Sequence, residues 1–232
     1  MEEKFSIFAQ NLAYYNEGYI VGDWIKLPQS PETIEKYLKE VVKVDDEHEE
    51  YEIADVDEVP FPYDSIQWSD VKDVNNLAII YSTLDEFQKD AIAAYMQYEG
   101  EEHYDVNELI NICLQADYIN YYKYCFNGIE YCENCSSEVK MGYTMAEEFG
   151  IYEQLEKQGI VDFFDFEKYG ESFGYDYELF DDGYLVPNFD LDLNFYSKEE
   201  IADKVEKWIF KENSYQRIAI YNTHFQVAQN MV

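Results

Sequence analysis

The sequence has few positively charged residues. Of its 232 residues, 16 are Lys or Arg and 50 are Asp or Glu, so the formal net charge is −34, and Arg217 is the single arginine. A surface of this sign repels phosphates, which argues against direct binding of nucleic acid. It repels anionic lipid as well, so we expect no membrane partner.

Long apolar runs are also missing. No apolar stretch approaches the roughly 18 residues of a membrane span, and the opening "MEEKFSIFAQ" is acidic and unlike a signal peptide. We therefore expect a cytoplasmic protein of a bacterial host.

Motifs of catalysis and of metal binding are absent from the sequence. There is no Gly-rich phosphate loop, no G-x-S-x-G and no H-E-x-x-H, and His48, His103 and His224 lie far apart. Asp55-Val-Asp57 and Asp190-Leu-Asp192-Leu-Asn194 lack the loop glycine and distal Glu of an EF-hand. We predict no catalytic residue, no cofactor and no metal. An enzyme would need a concave pocket with converging perturbed acids, and the sequence alone leaves such a pair open.

Cysteine is scarce, with four residues: Cys113, Cys125, Cys132 and Cys135. Cys132-Glu-Asn-Cys135 forms a C-x-x-C, but a structural zinc site usually needs a second pair at similar spacing. The default interpretation is ordinary reduced thiols. Whether Cys132 and Cys135 hold a metal stays open.

Material for a hydrophobic core is plentiful. Hydrophobic residues make up 47% and aromatic residues 18% of the chain, with 24 Tyr and 15 Phe. Disordered chains combine high net charge with low hydrophobicity, and only the first applies here, so the chain should fold. A halophile's solvating surface would explain the charge but not so many aromatic residues.

The acids are spread along most of the chain. From Ser197 to the end five bases balance five acids, which leaves 45 acids and 11 bases in residues 1–196. No Lys or Arg lies between Lys43 and Lys72, yet apolar residues recur there. Like charges crowd one another in a compact ball, so this distribution predicts an elongated shape.

The apolar patterns predict an α+β fold. Residues 4–12, 18–27 and 51–56 are predicted strands, and Pro31 opens a predicted helix with Ser30 as its N-cap. Helical spacing covers residues 65–98 and 104–115, after which 117–126 reads as a strand.

Two short helices, each stopped by a glycine, then precede a hairpin with Asp182-Gly183 as its turn. Ser197 and Glu200 form a capping box for a terminal helix, followed by a strand near residues 215–228. The predicted division is 1–62, a small antiparallel sheet with one helix; 63–115, a helical domain; 116–190, an α+β domain with the hairpin; and 191–232, a near-neutral C-terminal extension.

The charge density resembles that of a nucleic acid. B-DNA carries about two negative charges per 3.4 Å of rise, so 45 acids match the phosphates of about 22 base pairs, or about 17 after subtraction of the bases. A basic groove built for duplex DNA would accept such a surface, and binding would release counterions. Composition therefore favours a DNA mimic.

The N-terminal residues "FAQNLAYYNEGYIVGDWIKLP", 8–28, carry a Tyr-Asn-Glu-Gly turn and a Gly-x-Trp-x-x-Leu-Pro segment. Together with "EEYEIADVDEVPF", 49–61, they resemble the ArdA family of antirestriction proteins. The resemblance extends over about residues 4–187 and is strongest in the first 61.

The resemblance implies a non-enzymatic mimic of bent B-form DNA, an elongated homodimer joined through C-terminal domains, that occupies the DNA-binding groove of Type I restriction-modification enzymes. The family's antirestriction motif corresponds by position to "YTMAEEFG", 143–150, with Tyr143, Met145, Glu147, Glu148 and Gly150. Three roles stay open for that segment: it maintains the fold, it forms dimer contacts or it contacts the target. Two departures are the cysteine-bearing stretch 121–138 and the near-neutral tail, which leaves the dimer geometry open.

The acids that we expect to stand in for phosphates form two groups, the first above the predicted strand that Tyr51, Ile53 and Val56 anchor. They are Asp45, Asp46, Glu47, Glu49, Glu50, Asp55, Asp57 and Glu58, followed by Asp64, Asp70, Asp73, Glu99, Glu101, Glu102, Asp105 and Glu108. The alternative interpretation of each single acid is an ordinary solvated surface charge.

Two alternatives stay open. The first is a DNA mimic aimed at another target, such as a CRISPR nuclease, a nucleoid protein or a regulatory DNA-binding protein. The second is an acidic chaperone or scaffold for basic proteins, which needs no duplex geometry.

Overall fold

The computed structural model describes residues 5–100, 103–126 and 134–211. In these residues ten α-helices accompany two three-stranded antiparallel sheets, so the predicted α+β class is confirmed. The helices are α1 (Leu12–Asn16), α2 (Pro31–Glu40), α3 (Tyr63–Ile66), α4 (Val71–Tyr81), α5 (Glu86–Glu99), α6 (Val106–Leu114), α7 (Ser137–Glu148), α8 (Ile151–Gln158), α9 (Phe166–Glu171) and α10 (Lys198–Lys211). The strands are β1 (Phe5–Asn11), β2 (Gly22–Leu27), β3 (Tyr51–Asp57), β4 (Tyr121–Lys123), β5 (Glu178–Leu179) and β6 (Gly183–Leu185).

The chain divides into two compact units. The first contains Met1–Thr83, Glu102–Asn111 and Asp192–Val232, and the second contains Leu84–Glu101 and Ile112–Leu191. The three-domain division with a separate extension, and the elongated shape, stay predictions. Among the described residues, no helix has both the length and the apolar character that crossing a bilayer requires.

The sheet of the first unit has the strand order β2-β1-β3. All three strands were predicted, and Ser30 caps α2 as expected, because its Oγ accepts a hydrogen bond from the N–H of Thr33. The short helix α1, between β1 and β2, was not predicted. Its N-cap is Asn11, and the predicted turn at Asn16-Glu17-Gly18 follows the helix, with Gly18 at a positive φ of 92°.

The core of the first unit lies between this sheet and the helices. Ile7 and Ile53 of the sheet, Ile34 of α2 and Leu77 of α4 are all 1% exposed or less. Tyr37 of α2 ties helix to sheet, since its hydroxyl accepts from the N–H of Ala9 and donates to the carbonyl of Asp23. One face of the sheet is thereby buried, and the other carries the exposed side chains of Trp24, Asp55 and Asp57.

The start of the C-terminal extension belongs to the first unit. Asn111 of α6, fully buried, accepts from the N–H of Tyr196 and donates to the carbonyls of Leu193 and Tyr196. The predicted capping box is confirmed, because Ser197 and Glu200 exchange backbone-to-side-chain hydrogen bonds of 2.9 and 3.3 Å. Ile201 of α10 is buried, and α10 contacts α4. The strand predicted near residues 215–228 lies outside the described residues.

The second unit has a smaller sheet in the order β4-β6-β5. The strand predicted over 117–126 is confirmed only for Tyr121–Lys123, after a 3-10 turn at Ala116–Tyr118. The predicted hairpin is present, but its turn is shifted by one residue. Leu179 pairs with Tyr184, and the N–H of Phe180 donates to the carbonyl of Gly183, so Asp181 and Asp182 form the turn.

Glycines end α7 and α8 as predicted, because Gly150 and Gly159 adopt left-handed conformations at φ 67° and 68°. Two further glycines bring α7 against α9. A Cβ at Gly142 would collide with the carbonyl oxygen of Phe166, and a Cβ at Gly170 with that of Glu138. The two backbones therefore meet where neither has a side chain.

Candidate functional site

Three carboxylates lie along one face of β3, an edge strand of the first sheet. Asp57 pairs with Ser6, Asp55 with Phe8, and Glu52 with Gln10. The register shifts between Phe8 and Ala9, so Ala54 is an extra residue in β3. This β-bulge brings Glu52 into phase with Asp55 and Asp57, whereas strict alternation would place it on the opposite face.

Glu52 is therefore a residue that sequence reasoning missed. Its place on this face is independently supported by a 2.8 Å hydrogen bond from the Gln10 side-chain amide to Glu52 Oε1. We call Glu52, Asp55 and Asp57 the β3 acid column. A bulge leaves no reliable mark in a sequence, and the Ala54 position carries no glycine to suggest it.

The outer edge of β3 is covered rather than open. Ile53 donates its N–H to the carbonyl of Gln67, and the Tyr63 hydroxyl lies 3.2 and 3.0 Å from the carbonyls of Ile53 and Ala54. Burial, followed by the negative charges of Glu52, Asp55 and Asp64, raises the pKa of Tyr63. The edge is thus protected from pairing with another strand, while Asp55 and Asp57 stay exposed and Glu52 is half-buried.

The acidic loop, residues 44–50, is held by one buried side chain. The Asn11 amide donates to the carbonyls of Lys43 and His48 at 3.3 and 3.0 Å, and its Oδ1 accepts from the N–H groups of Ala13 and Tyr14. Asn11 has no solvent exposure. Asn11, within the N-terminal segment 8–28, thereby positions the loop that carries Asp45, Asp46, Glu47, Glu49 and Glu50.

Asp45 shapes this loop from within. Its Oδ1 accepts from the backbone N–H groups of Glu47 and His48 and contacts His48 Nδ1, each at 2.9 Å. These hydrogen bonds, with that from the His48 side chain first, lower the pKa of the Asp45 carboxyl. The His48 ring stacks on Tyr14, with 4.5 Å between ring centroids. Asp46, Glu47, Glu49 and Glu50 are exposed.

The remaining predicted acids divide into charges and structural caps. Asp70 is the N-cap of α4, and Asp105 caps α6 by accepting from the N–H groups of Asn107 and Glu108. Glu108 in turn accepts from the N–H of Asp105, a capping box. These carboxylates stabilise helix ends in addition to carrying charge. They are therefore poorer markers of a binding surface than the acids of the acidic loop.

Asp73, a predicted acid of α4, pairs with a lysine. Lys198 of α10 lies 2.5 Å from Asp73 Oδ2, and this hydrogen bond raises the pKa of Lys198. The base comes from the near-neutral extension, which places positive charge against the acids of α4.

The remaining predicted acids lie at separate positions along the chain. Asp64 is exposed in the first turn of α3, and Glu58 follows β3 with a positive φ of 54°. Glu99 is exposed at the end of α5 in the second unit. Glu101 and Glu102 lie outside the described residues.

The segment that corresponds to the antirestriction motif is mainly built into the second unit's core. Met145 is 2% exposed and packs in a cluster with Met141 and Tyr184, and the Tyr143 ring stacks on Phe166 at 3.9 Å. Glu147 is half-buried, Glu148 is exposed, and Gly150 ends the helix. Glu148 and Phe149, which is 58% exposed, are the residues of this segment that lie open to solvent.

The cysteines differ from one another. Cys113 is buried and Cys125 half-buried, and both are free thiols. Cys135 is disulfide-bonded, so the expectation of reduced thiols throughout was wrong for this residue. Cys132 lies outside the described residues. Within the described residues, no group of three or more His, Cys, Asp or Glu side chains is arranged to hold a metal.

Comparison with known proteins gives one clear result. The family model described as antirestriction protein (ArdA) matches residues 7–186, which is more than half of the chain. Curated protein sequences give no significant match. The family match runs from within β1 to the residue after β6 and includes both the β3 acid column and the acidic loop.

Proposed function

The chain belongs to the ArdA family of antirestriction proteins, and from this premise we propose that it acts by mimicking B-form DNA in the DNA-binding groove of Type I restriction-modification enzymes. It works by binding alone, with no catalytic residue and no cofactor. We propose that the protein acts in the bacterial cytoplasm, where the restriction enzyme acts. We also propose that its active form is a homodimer.

The observation that carries the proposal is the β3 acid column beside the acidic loop. Residues two apart in a strand are separated by about 6.8 Å and project from the same face. Asp55 and Asp57 therefore present two carboxylates at a regular spacing along one line, as phosphates are presented along a DNA strand. A groove that binds phosphates through Lys and Arg finds matching acceptors there.

Binding of this kind is collective. Each exposed carboxylate contributes little alone, because exposed ion pairs are worth at most about 1 kcal/mol. Many such contacts release many counterions, which makes the affinity fall steeply as salt rises. We include Asp46, Glu47, Glu49 and Glu50 with the column, and propose Glu147 and Glu148 as contacts of the second unit.

The first test is competition. Purified protein is added to a Type I restriction-modification enzyme bound to a labelled target duplex, and the release of duplex is measured at several salt concentrations. We expect release near stoichiometry that is lost as salt rises. The variant Asp55→Asn/Asp57→Asn, extended by Asp46→Asn, Glu47→Gln, Glu49→Gln and Glu50→Gln, should weaken competition at least about tenfold, and each lost contact should flatten the salt dependence by about one unit of slope.

The matched control removes charge from the same unit at a place of mixed sign. Glu35→Gln/Glu40→Gln lies on the exposed face of α2, where Lys36 pairs with Glu40 at 3.9 Å. It removes as much charge as Asp55→Asn/Asp57→Asn, and we expect it to change competition less than twofold. Equal losses from the two double variants would mean that net charge alone matters.

The alternatives predict other results. An acidic chaperone would bind polylysine and the restriction enzyme alike, and duplex release would not depend on where charge is removed. A mimic aimed at another DNA-binding protein would leave the Type I enzyme bound to its duplex while displacing DNA from that other protein.

A further inference from the structure

The solvent face of the first sheet holds aromatic side chains next to the β3 acid column. The strand register gives three rows across β2, β1 and β3: Lys26, Ser6 and Asp57; Trp24, Phe8 and Asp55; Gly22, Gln10 and Glu52. In the middle row the Trp24 and Phe8 rings meet edge to face, with 5.7 Å between their centroids. Phe8 separates the indole from the Asp55 carboxylate.

This face is open above its aromatic centre. Trp24 is 44% exposed, although a buried indole would contribute more to stability. Gly22 has no side chain, and a Cβ there would collide with the carbonyl oxygen of Ala9. Gln10, in the same row, is 7% exposed, so the exposed side chains of this face lie in the other two rows, among them Trp24 and Asp55.

We propose that this face is a docking surface for an arginine of the target's DNA-binding groove, whose guanidinium stacks on the Phe8–Trp24 pair and donates its N–H groups to Asp55. The inference rests on the proposed function and names the partner chemistry at this part of the surface. The flat guanidinium stacks on aromatic rings and pairs with carboxylates, while the ammonium of lysine is a compact point charge. Adjacent strands lie about 4.8 Å apart, so the ring of Phe8 and the Asp55 carboxylate are within reach of one guanidinium.

The stacking contact gives the complex a contribution that salt screens little. Carboxylate contacts weaken with salt through counterion release, whereas stacking over desolvated rings does not release counterions. The residual affinity at high salt is therefore assigned to Trp24 and Phe8, and the steep salt dependence to the acids.

The test compares Trp24→Ala with Trp68→Ala in the duplex competition assay. Trp68 is 70% exposed in the same unit but lies between α3 and α4, outside the three rows. Cation–π contacts predict that Trp24→Ala weakens competition about 3- to 30-fold with the salt slope unchanged. Asp55→Asn should weaken competition and lower the slope by about one. Trp68→Ala should match the parent chain.

A second measurement does not depend on how well Trp24→Ala folds. The variant Trp68→Phe/Trp208→Phe keeps Trp24 as the single remaining indole of three. Its fluorescence should become protected from acrylamide when the Type I enzyme is added, and free duplex should reverse the protection.

The outcomes separate this inference from the proposed function. If the parent chain fails to release duplex, the proposed function fails. If the parent chain competes while Trp24→Ala competes equally well, or while Trp24 stays fully open to acrylamide in the complex, the docking surface is wrong and mimicry stands without it.

Discussion

Asp70 combines two roles that substitution can separate. Its carboxylate accepts from the N–H of Lys72 at 2.7 Å as the N-cap of α4, and with burial it helps to raise the pKa of the neighbouring Tyr51 hydroxyl. Asn caps a helix about as well as Asp, whereas Ala costs about 1 kcal/mol. We expect Asp70→Ala to lower the unfolding free energy by about 1 kcal/mol and Asp70→Asn to change it little, as measured by urea denaturation.

Asp46→Ala is the control for the two Asp70 substitutions, since Asp46 is exposed and takes part in no described hydrogen bond or ion pair. It should leave stability unchanged. Equal losses for Asp70→Ala and Asp70→Asn would show that charge, and not the cap, stabilises α4. If the cap interpretation holds, Asp70→Asn is the substitution that reports on target binding alone.

Residue-level rules predicted some of these details well and others not at all. Ser30 before Pro31, and Ser197 before Glu200, were predicted because a cap depends on residues within three positions. Glu52 was missed because its face depends on a bulge opposite Phe8 and Ala9, more than 40 residues away. Asp70 and Asp105 each directly precede a helix, so their roles as caps are also predictable from residues within three positions.

At the scale of elements, the contact between α7 and α9 depends on two glycines. Alanine is favoured over glycine in a helix interior by about 1 kcal/mol. At Gly142, however, the new Cβ would collide with the carbonyl oxygen of Phe166 and lie 2.8 Å from its carbonyl carbon. Both obstacles are backbone, so the helices must separate, and overpacking of this kind costs about 1–3 kcal/mol.

We therefore expect Gly142→Ala and Gly170→Ala each to lower the melting temperature, measured by circular dichroism. Gly174→Ala is the matched control, because its Cβ would have a single neighbour at 3.4 Å, an ordinary contact. A rise in melting temperature for Gly142→Ala would mean that helix propensity outweighs the collision and that the close crossing is wrong.

The β5–β6 hairpin shows why an element can be predicted while its turn is misplaced. Asp-Gly is a common two-residue turn, which led to Asp182-Gly183 as the prediction. In the structure Gly183 is the first residue of β6, where a Cβ would approach the Tyr121 ring to 2.7 Å and collide with the carbonyl oxygen of Tyr122. The glycine serves a packing contact with a strand about sixty residues earlier, which no local pattern reveals.

At the scale of the whole molecule, the bases do little to neutralise the net charge of −34. Four of the described lysines, Lys36, Lys89, Lys157 and Lys168, pair with an acid three or four positions away. Such pairs on a helix surface contribute about 0.3–0.5 kcal/mol each. The far larger number of exposed acids is left to repel one another, which destabilises the compact state.

Salt should therefore act in opposite directions on folding and on binding. The screening length falls from about 10 Å at 0.1 M to about 3 Å at 1 M, which weakens repulsion between acids on the folded chain. We expect the melting temperature to rise with NaCl over the range in which competition with duplex is lost. Chloride is the required anion, because sulfate stabilises proteins by exclusion from their surface and would obscure the effect.

The variant with Asp46, Glu47, Glu49, Glu50, Asp55 and Asp57 neutralised tests both halves of this argument together. With fewer like charges it should melt at a higher temperature than the parent chain at low salt and gain less from NaCl, while competing less well at every salt concentration. A melting temperature that does not change with NaCl would mean that the acids are too far apart to repel one another in the folded chain. In that case a steep salt dependence of binding would have to arise from the basic groove of the target, whose own counterions the acids displace.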